Sequence, residues 1–250
     1  MILDAIFRAA LGTGFTFALT SLGAATVFFL TKEPQPGFQR GLIGFAAGVM
    51  TAASVWSLLL PAIEQTRSLP RWLPAAAGLI AGVLFLASMD ALLRRAQHFS
   101  AGRDRSNALL MTAITLHNIP EGMAVGLAFA LAGETQDGLT AAAALALGIG
   151  IQNFPEGAAV SLPLRQEGKS RLMSFAGGVL SGAVEPMFGV LVVLAASGVQ
   201  ALMPWLLSFA AGAMVYVVVE ELVPQAHSRA GTCGFMAGFL VMMVLDVALG

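Results

Sequence analysis

Long, predominantly apolar stretches follow one another along this chain, separated only by short segments of turn-forming and charged residues. An α-helix needs ~20 such residues to cross ~30 Å of hydrocarbon, so each stretch predicts a membrane-spanning helix. The eight predicted spans are residues 5–30, 41–65, 72–93, 107–132, 139–163, 172–198, 203–225 and 233–249. The sequence therefore predicts an all-α integral membrane protein that forms one polytopic membrane domain over residues 1–250.

The composition excludes several other classes of protein. Hydrophobic residues make up 57% of the chain and charged residues only 11%, whereas a soluble domain carries about 25% charged residues. No basic tract indicates binding to nucleic acid. Cys233 is the single cysteine, so neither an intramolecular disulfide nor a thiolate cluster for soft metals can form.

The distribution of basic residues predicts the orientation, because cytoplasmic loops carry an excess of Lys and Arg. If both termini lie on the outer, periplasmic side, ten basic residues fall in inner loops. Those residues are Lys32, Arg40, Arg94, Arg95, Arg103, Arg105, Arg165, Lys169, Arg171 and Arg229. The outer side then keeps only Arg8, Arg67 and Arg71. We therefore expect a multi-pass protein of the cell inner membrane with both termini outside.

Three pairs of segments resemble one another within the chain. The matched segments are 45–50 with 209–214, 81–90 with 237–246, and 116–122 with 151–157. Each pair joins an even-numbered span to an odd-numbered one, so the partners cross the membrane in opposite directions. This pattern predicts an inverted repeat, in which spans 1–3 are related to spans 6–8 and span 4 to span 5. Many transporters are built in this way, with the substrate site near the midplane.

Spans 4, 5 and 6 contain ionisable side chains at membrane depth, namely His117, Glu121, Glu156 and Glu185, but no Lys or Arg. A charge at the centre of the bilayer costs ~2.5–3.5 kcal/mol on insertion scales. Since no basic residue in these spans balances the carboxylates, they are either protonated or neutralised by a bound cation, and the spacing of the polar residues favours the cation. His117 and Glu121 are four residues apart and share one helix face, and Gln152 and Glu156 repeat this spacing.

Amide and proline residues accompany these groups. Asn118 and Asn153 are turned by ~100° from the two faces and are candidates for a neighbouring site. Pro120 and Pro155 each remove one backbone hydrogen bond and free a carbonyl beside the candidate ligands. A kinked helix with free carbonyls is tolerated at membrane depth where it lines a cavity. The sequence thus predicts a cavity lined by polar groups within spans 4–6.

The predicted ligands suggest which ions bind. One imidazole with carboxylate and amide oxygens suits zinc, iron, manganese or cadmium as divalent cations. Three alternatives remain open at this point: a hydrogen-bonded polar cluster, an intramembrane metal-dependent hydrolase, and a metal-gated structural or sensor protein. A hydrolase usually needs two or three histidine ligands, and only His117 of the three histidines falls at mid-membrane.

Further polar residues lie near the ends of the spans. Glu64, at the outer end of span 2, is a candidate for a cation entrance. Glu220, Glu221, His227 and Asp90 are candidates for an exit toward the cytoplasm. The alternative for each of them is an ordinary solvated helix end.

The two motifs His-Asn-x-Pro-Glu-Gly, at 117–122, and Gln-Asn-x-Pro-Glu-Gly, at 152–157, resemble those of the ZIP family of zinc and iron transporters. Gln152 and the Ser-Gly-x-Val-Glu-Pro run at 181–186 are most similar to the bacterial GufA-type branch. The resemblance covers essentially the whole chain. It implies a transporter and not an enzyme, with zinc as the transported substrate, movement toward the cytoplasm, and an elevator-like shift of one helix bundle against another.

The resemblance also implies a two-metal site at mid-membrane. His117, Glu121, Gln152 and Glu156 resemble its first metal position. The residues resembling its second position are Asn118, Asn153, Glu156 and Glu185. Many members have His where this chain has Gln152. Some have Asp where this chain has Asn153, so the second position of this chain carries one negative charge less. The sequence leaves open whether the protein is a monomer or a homodimer.

Overall fold

The computed structural model of the protein describes residues 2–29, 35–67, 69–98, 103–132, 135–166, 168–198 and 200–249. The side chains of 93–94, 96–98, 103–114, 116–117 and some residues at other helix ends lie outside that description. All regular secondary structure in the described residues is helical. The predicted all-α class is therefore confirmed.

Eleven α-helices, together with short 3₁₀ and π segments, form the described part of the chain. The helices are α1 (Ile2–Ala25), α2 (Pro36–Ala53), α3 (Leu60–Gln65), α4 (Trp72–His98), α5 (Arg103–Ala132), α6 (Gln136–Gln166), α7 (Arg171–Gly182), α8 (Val184–Gly198), α9 (Met203–Val217), α10 (Val223–Ala226) and α11 (Arg229–Leu249). Among the described residues, seven helical stretches are long and apolar enough to cross a membrane. The fourth predicted span is carried by α5, whose described apolar stretch is the shorter Asn118–Ala132. The chain is a multi-pass membrane protein.

Spans 2 and 7 are each interrupted by a π-helical segment, which the sequence did not predict. The segments are Ser54–Leu59, between α2 and α3, and Val218–Leu222, between α9 and α10. Each ends two residues before a proline, Pro61 or Pro224. Because proline clashes with the carbonyl four residues earlier and cannot donate to it, a wider turn accommodates the ring while the helix continues.

Span 6 was predicted as one continuous helix, but it is divided at Ala183 into α7 and α8. The physical reason is Pro186, which has no N–H to donate to the carbonyl of Gly182 and thus weakens the helix at this point. The break places Glu185 in the first turn of α8.

The helices form two bundles that meet along a shared apolar core. In the first bundle, α1 packs chiefly on α6, and α5 packs on α8 with α7 beside them. In the second, α2 packs chiefly on α11, and α4 packs on α9. The contact between the bundles runs mainly through α5 with α9 and α6 with α11. Fully buried side chains such as Met214, Leu127 and Met242 fill the core.

The helix pairs of the second bundle approach closely at glycines, in a pattern that repeats. At each of these glycines, a Cβ atom would collide with a backbone carbonyl of the facing helix. The contacts are Gly82 with Phe209, Gly238 with Phe45, Gly48 with Phe235, and Gly212 with Leu79. If span 2 is exchanged with span 7 and span 3 with span 8, the contact of Gly82 with Phe209 becomes that of Gly238 with Phe45. The contact of Gly48 with Phe235 likewise becomes that of Gly212 with Leu79. These matched contacts support the inverted repeat, which itself stays a prediction.

Candidate metal centre

The polar residues of spans 4, 5 and 6 meet inside the first bundle, where the helices lie unusually close together. A Cβ atom at Gly122 in α5 would collide with the backbone of Glu185, and one at Gly157 in α6 would collide with the carbonyl of Thr20. The two motif glycines therefore bring α5 against the α7–α8 junction and α6 against α1. This packing holds the polar side chains of the motifs next to one another in a buried position.

The centre of the cluster is a direct contact between the two motif helices. The Nε2 atom of Gln152 donates a hydrogen bond of 2.6 Å to Oε1 of Glu121. Both side chains are 1% exposed. This contact places the carboxylate of the span 4 motif on the amide of the span 5 motif.

Two further amides are anchored on the α7–α8 junction. The Nδ2 atom of Asn118 donates to the carbonyl of Ser181 at 2.7 Å, and Nδ2 of Asn153 donates to Oε2 of Glu185 at 2.9 Å. Both asparagines are fully buried. Carboxylate and carbonyl oxygens only accept hydrogen bonds, so these partners fix which end of each amide is the nitrogen.

The remaining oxygens of these side chains are buried and have no hydrogen-bond partner among the described residues. They are Oδ1 of Asn118, Oε2 of Glu121, Oε1 of Gln152 and Oδ1 of Asn153. An unsatisfied buried acceptor costs about 1–3 kcal/mol. All four atoms are acceptors, since the amide nitrogens are already used. Such a set fits a divalent cation in general, and the imidazole of His117, predicted from the sequence as a further ligand, is the feature that favours zinc, iron or manganese over calcium or magnesium.

Glu185 is fully buried and contacts a helix that the sequence analysis did not include in the site. Its Oε2 accepts a hydrogen bond from Oγ1 of Thr16 at 2.5 Å, and its Oε1 accepts one from Oγ1 of Thr20 at 3.1 Å. Both threonines belong to α1 and are fully buried. Their signal in the sequence is the spacing of Thr13, Thr16 and Thr20, which places three hydroxyl groups on one face of an apolar helix.

Glu156 is half-buried on α6, one turn after Gln152. Glu156 and Glu185 both lie within electrostatic range of Glu121. The side chain of His117 lies outside the described residues, although its backbone is part of α5. Within the described side chains, no group of three or more His, Cys, Asp or Glu residues is arranged to hold a metal ion. The oxygens available there come mainly from amides.

The candidate entrance and exit residues lie in the second bundle and not in this cluster. Glu64 and His227 are exposed, and Glu220 and Glu221 lie in the second π segment. Asp90 is half-buried and accepts a hydrogen bond of 3.3 Å from the hydroxyl of Tyr216. The roles of these five residues in entry and exit stay predictions.

Taken together, the fold and the cluster define a class of protein: a polytopic membrane protein with a buried cluster of polar, oxygen-rich side chains between the helices of one bundle, which is a candidate cation site. The sequence model of a protein family described as "Zip: ZIP Zinc transporter" matches residues 94–246, which is more than half of the chain. Three relatives match over nearly the whole chain.

The first relative is the zinc transporter ZIP11 of Xenopus tropicalis, 37% identical over 98% of this chain and 98% of that protein. The second is the zinc transporter GufA of Myxococcus xanthus, 40% identical over 92% of this chain and 94% of that protein. The third is the zinc transporter ZIPB of Bordetella bronchiseptica, 38% identical over 97% and 81%. The chain belongs to the ZIP zinc transporter family, and the likeness to GufA confirms the branch that its motifs indicate.

Proposed function

We propose that this protein transports divalent transition-metal cations across the membrane toward the cytoplasm, with zinc as the principal substrate and iron, manganese and cadmium as further ones. The observation that carries the proposal is the set of four buried acceptor oxygens without a hydrogen-bond partner among the described residues. Membership of a transporter family, and relatives that are themselves zinc transporters, support transport over the alternative of an intramembrane metal-dependent hydrolase.

The site is proposed to work by charge compensation. Glu121 and Gln152 supply adjacent oxygens from facing helices, and Asn118 adds an amide oxygen from the same turn of α5 as Glu121. His117 and Glu156 are the predicted remaining ligands of this position. A dication entering from the outer side exchanges its water ligands for these oxygens. Its charge offsets the cost of holding carboxylates at membrane depth, which is several kcal/mol for each isolated charge.

Uptake into proteoliposomes tests the proposal directly. Purified protein reconstituted into sealed vesicles is expected to accumulate radioactive zinc well above empty vesicles, and unlabelled cadmium, iron or manganese should compete. A hydrolase would cleave a substrate without moving zinc, and a sensor would bind zinc without moving it. Failure of the reconstituted protein to pass any divalent cation, with its fold intact, would contradict the proposed function.

The inner membrane and the outer position of both termini are part of the same proposal, supported by the asymmetry of basic residues along the sequence. We expect alkaline phosphatase fused after Leu249 to be active, because that enzyme folds only in the oxidising periplasm, and green fluorescent protein fused there to be dark. Fusions placed in the polar segment between α6 and α7 should behave in the opposite way. An inactive phosphatase at the C-terminus would reverse the proposed orientation.

A further inference from the structure

Glu185 differs from the other polar residues of the site because both of its carboxylate oxygens already have partners. Oε2 accepts from Thr16 and from the amide of Asn153, and Oε1 accepts from Thr20. None of the unpartnered buried oxygens belongs to Glu185. Hydrogen bonds to an ionised carboxylate are about twice as strong as those between neutral groups. Both oxygens of Glu185 are therefore already engaged by hydrogen-bond donors of the protein itself.

The two threonines are held against Glu185 by the packing of α1. Gly157 lets α6 reach the backbone carbonyl of Thr20, and a Cβ atom at Gly182 would meet the Thr20 side chain at 2.9 Å. Each hydroxyl also lies near a carbonyl of its own helix: Thr16 is 3.0 Å from the oxygen of Thr13, and Thr20 is 3.2 Å from that of Thr16. A hydroxyl has one proton to donate. The charged carboxylate, as the stronger acceptor, is the preferred partner.

A charge count indicates how many ions such a site can hold. Glu121, Glu156 and Glu185 bring three negative charges, and spans 4–6 contain no Lys or Arg. One dication balances two of the three carboxylates, and the third, Glu185, is the one that already has three hydrogen-bond donors. Two dications would leave a net positive charge in a low-dielectric environment, where an uncompensated charge is costly.

From these observations we propose that the site loads a single divalent cation, and that Thr16 and Thr20 are positioning residues that keep Glu185 outside its ligand set. The inference rests on the proposed function but goes beyond it, since the family resemblance implies two metal positions. Asn153 is central to the difference. Its nitrogen donates to Glu185, which an aspartate at this position could not do.

The first experiment measures the number of tightly bound cadmium ions per chain in the purified protein, by titration calorimetry and elemental analysis. We expect one ion for the natural sequence. Asn153→Asp should bind two, because it adds a negative charge and removes a donor from Glu185. Two ions in the natural protein, or one ion in Asn153→Asp, would overturn the inference and leave the transport proposal standing. Absence of binding and of uptake in the natural protein would instead defeat the proposed function.

The second experiment separates positioning from structural damage. In the double variant Thr16→Val and Thr20→Val, Glu185 loses two donors and is expected to turn toward the bound ion. The KM for zinc uptake and the maximal rate should then both fall, each on the order of tenfold, because the ion is held more tightly and released more slowly. The double serine variant, which keeps both hydroxyls, should restore both values.

Thr51→Val is the matched control, because the Thr51 hydroxyl donates only within its own helix, to the carbonyl of Ala47 at 2.7 Å. It should leave KM and the maximal rate unchanged. A general loss of folded protein would lower the maximal rate without lowering KM. Therefore an unchanged KM in the double valine variant, with the protein folded, would overturn the role assigned to the two threonines.

Discussion

Replacing Glu121 with glutamine is expected to abolish zinc uptake and tight cation binding while the protein still folds. The Glu121 side chain is 1% exposed, and its Oε2 has no hydrogen-bond partner among the described residues. The substitution keeps the shape of the side chain but removes one of the negative charges that oppose the ion. Removing one partner of a buried charge pair costs about 3–5 kcal/mol. A loss of on the order of 100-fold or more in cation affinity follows.

The measurement is uptake of radioactive zinc by proteoliposomes, together with the thermal shift that cadmium produces in the purified variant. Asp137→Asn serves as the control, since it also removes one carboxylate charge but lies exposed in the first turn of α6. It should transport at the rate of the natural protein. If the Glu121→Gln variant still transports zinc at more than one tenth of the natural rate, the Glu121 carboxylate is not a principal ligand.

The sequence predicted the positions of the spans and the meeting of the two motifs well, for a clear physical reason. A hydrophobic run has to match the thickness of the bilayer, and an ionisable group at membrane depth has to meet a compensating partner. These arguments predicted that the polar groups of spans 4 and 5 face one cavity, whereas the particular contact between Glu121 and Gln152 is seen only in the structure. Both predictions rest on an energetic cost that follows from the residue type alone: exposing apolar residues to water, or burying an ionisable group in the bilayer.

The contribution of α1 was not predicted, because threonine gives no such signal. A threonine in an apolar helix can satisfy its hydroxyl on the carbonyl of its own helix, as Thr13 does on Ala9 at 2.7 Å. Only the packing of α1 against the α7–α8 junction shows that Thr16 and Thr20 contact Glu185. The anchor of Asn118 on the Ser181 carbonyl was missed for a similar reason, since a backbone acceptor is present at every residue.

The matched aspartates of spans 3 and 8 illustrate the same limit. The predicted repeat matches Asp90 with Asp246, but the sequence did not predict the partner of either residue. Asp90 accepts from Tyr216, and Oδ1 of Asp246 accepts from Ser57 at 2.5 Å. Each partner is a hydroxyl on a neighbouring span of the second bundle. Sequence similarity identifies which positions correspond, whereas the choice of partner depends on side-chain packing across helices.

Gly23→Val is expected to destabilise the protein by about 2–3 kcal/mol, toward the upper end of the range for overpacked sites. A Cβ atom at Gly23 would collide with the carbonyl of Phe154, which follows Asn153 in α6. Because the obstacle is backbone and not the end of a flexible side chain, α1 and α6 have to move apart. That movement displaces Thr20 from Glu185, so uptake should fall together with stability.

Gly14→Val provides a control within the same helix. A Cβ atom at Gly14 has no other heavy atom within 4 Å apart from those of its own chain neighbours and the backbone of its own helix, so the added side chain points into open space. Its effect should stay within about 0.5 kcal/mol. Thermal unfolding of both variants in one detergent gives the comparison. Equal midpoints for the two valine variants would mean that close contact between α1 and α6 does not hold the bundle together, and the threonine contacts with Glu185 would then lose their structural basis. A lower midpoint for Gly23→Val alone would identify the α1–α6 contact as the element that fixes the geometry of the metal centre.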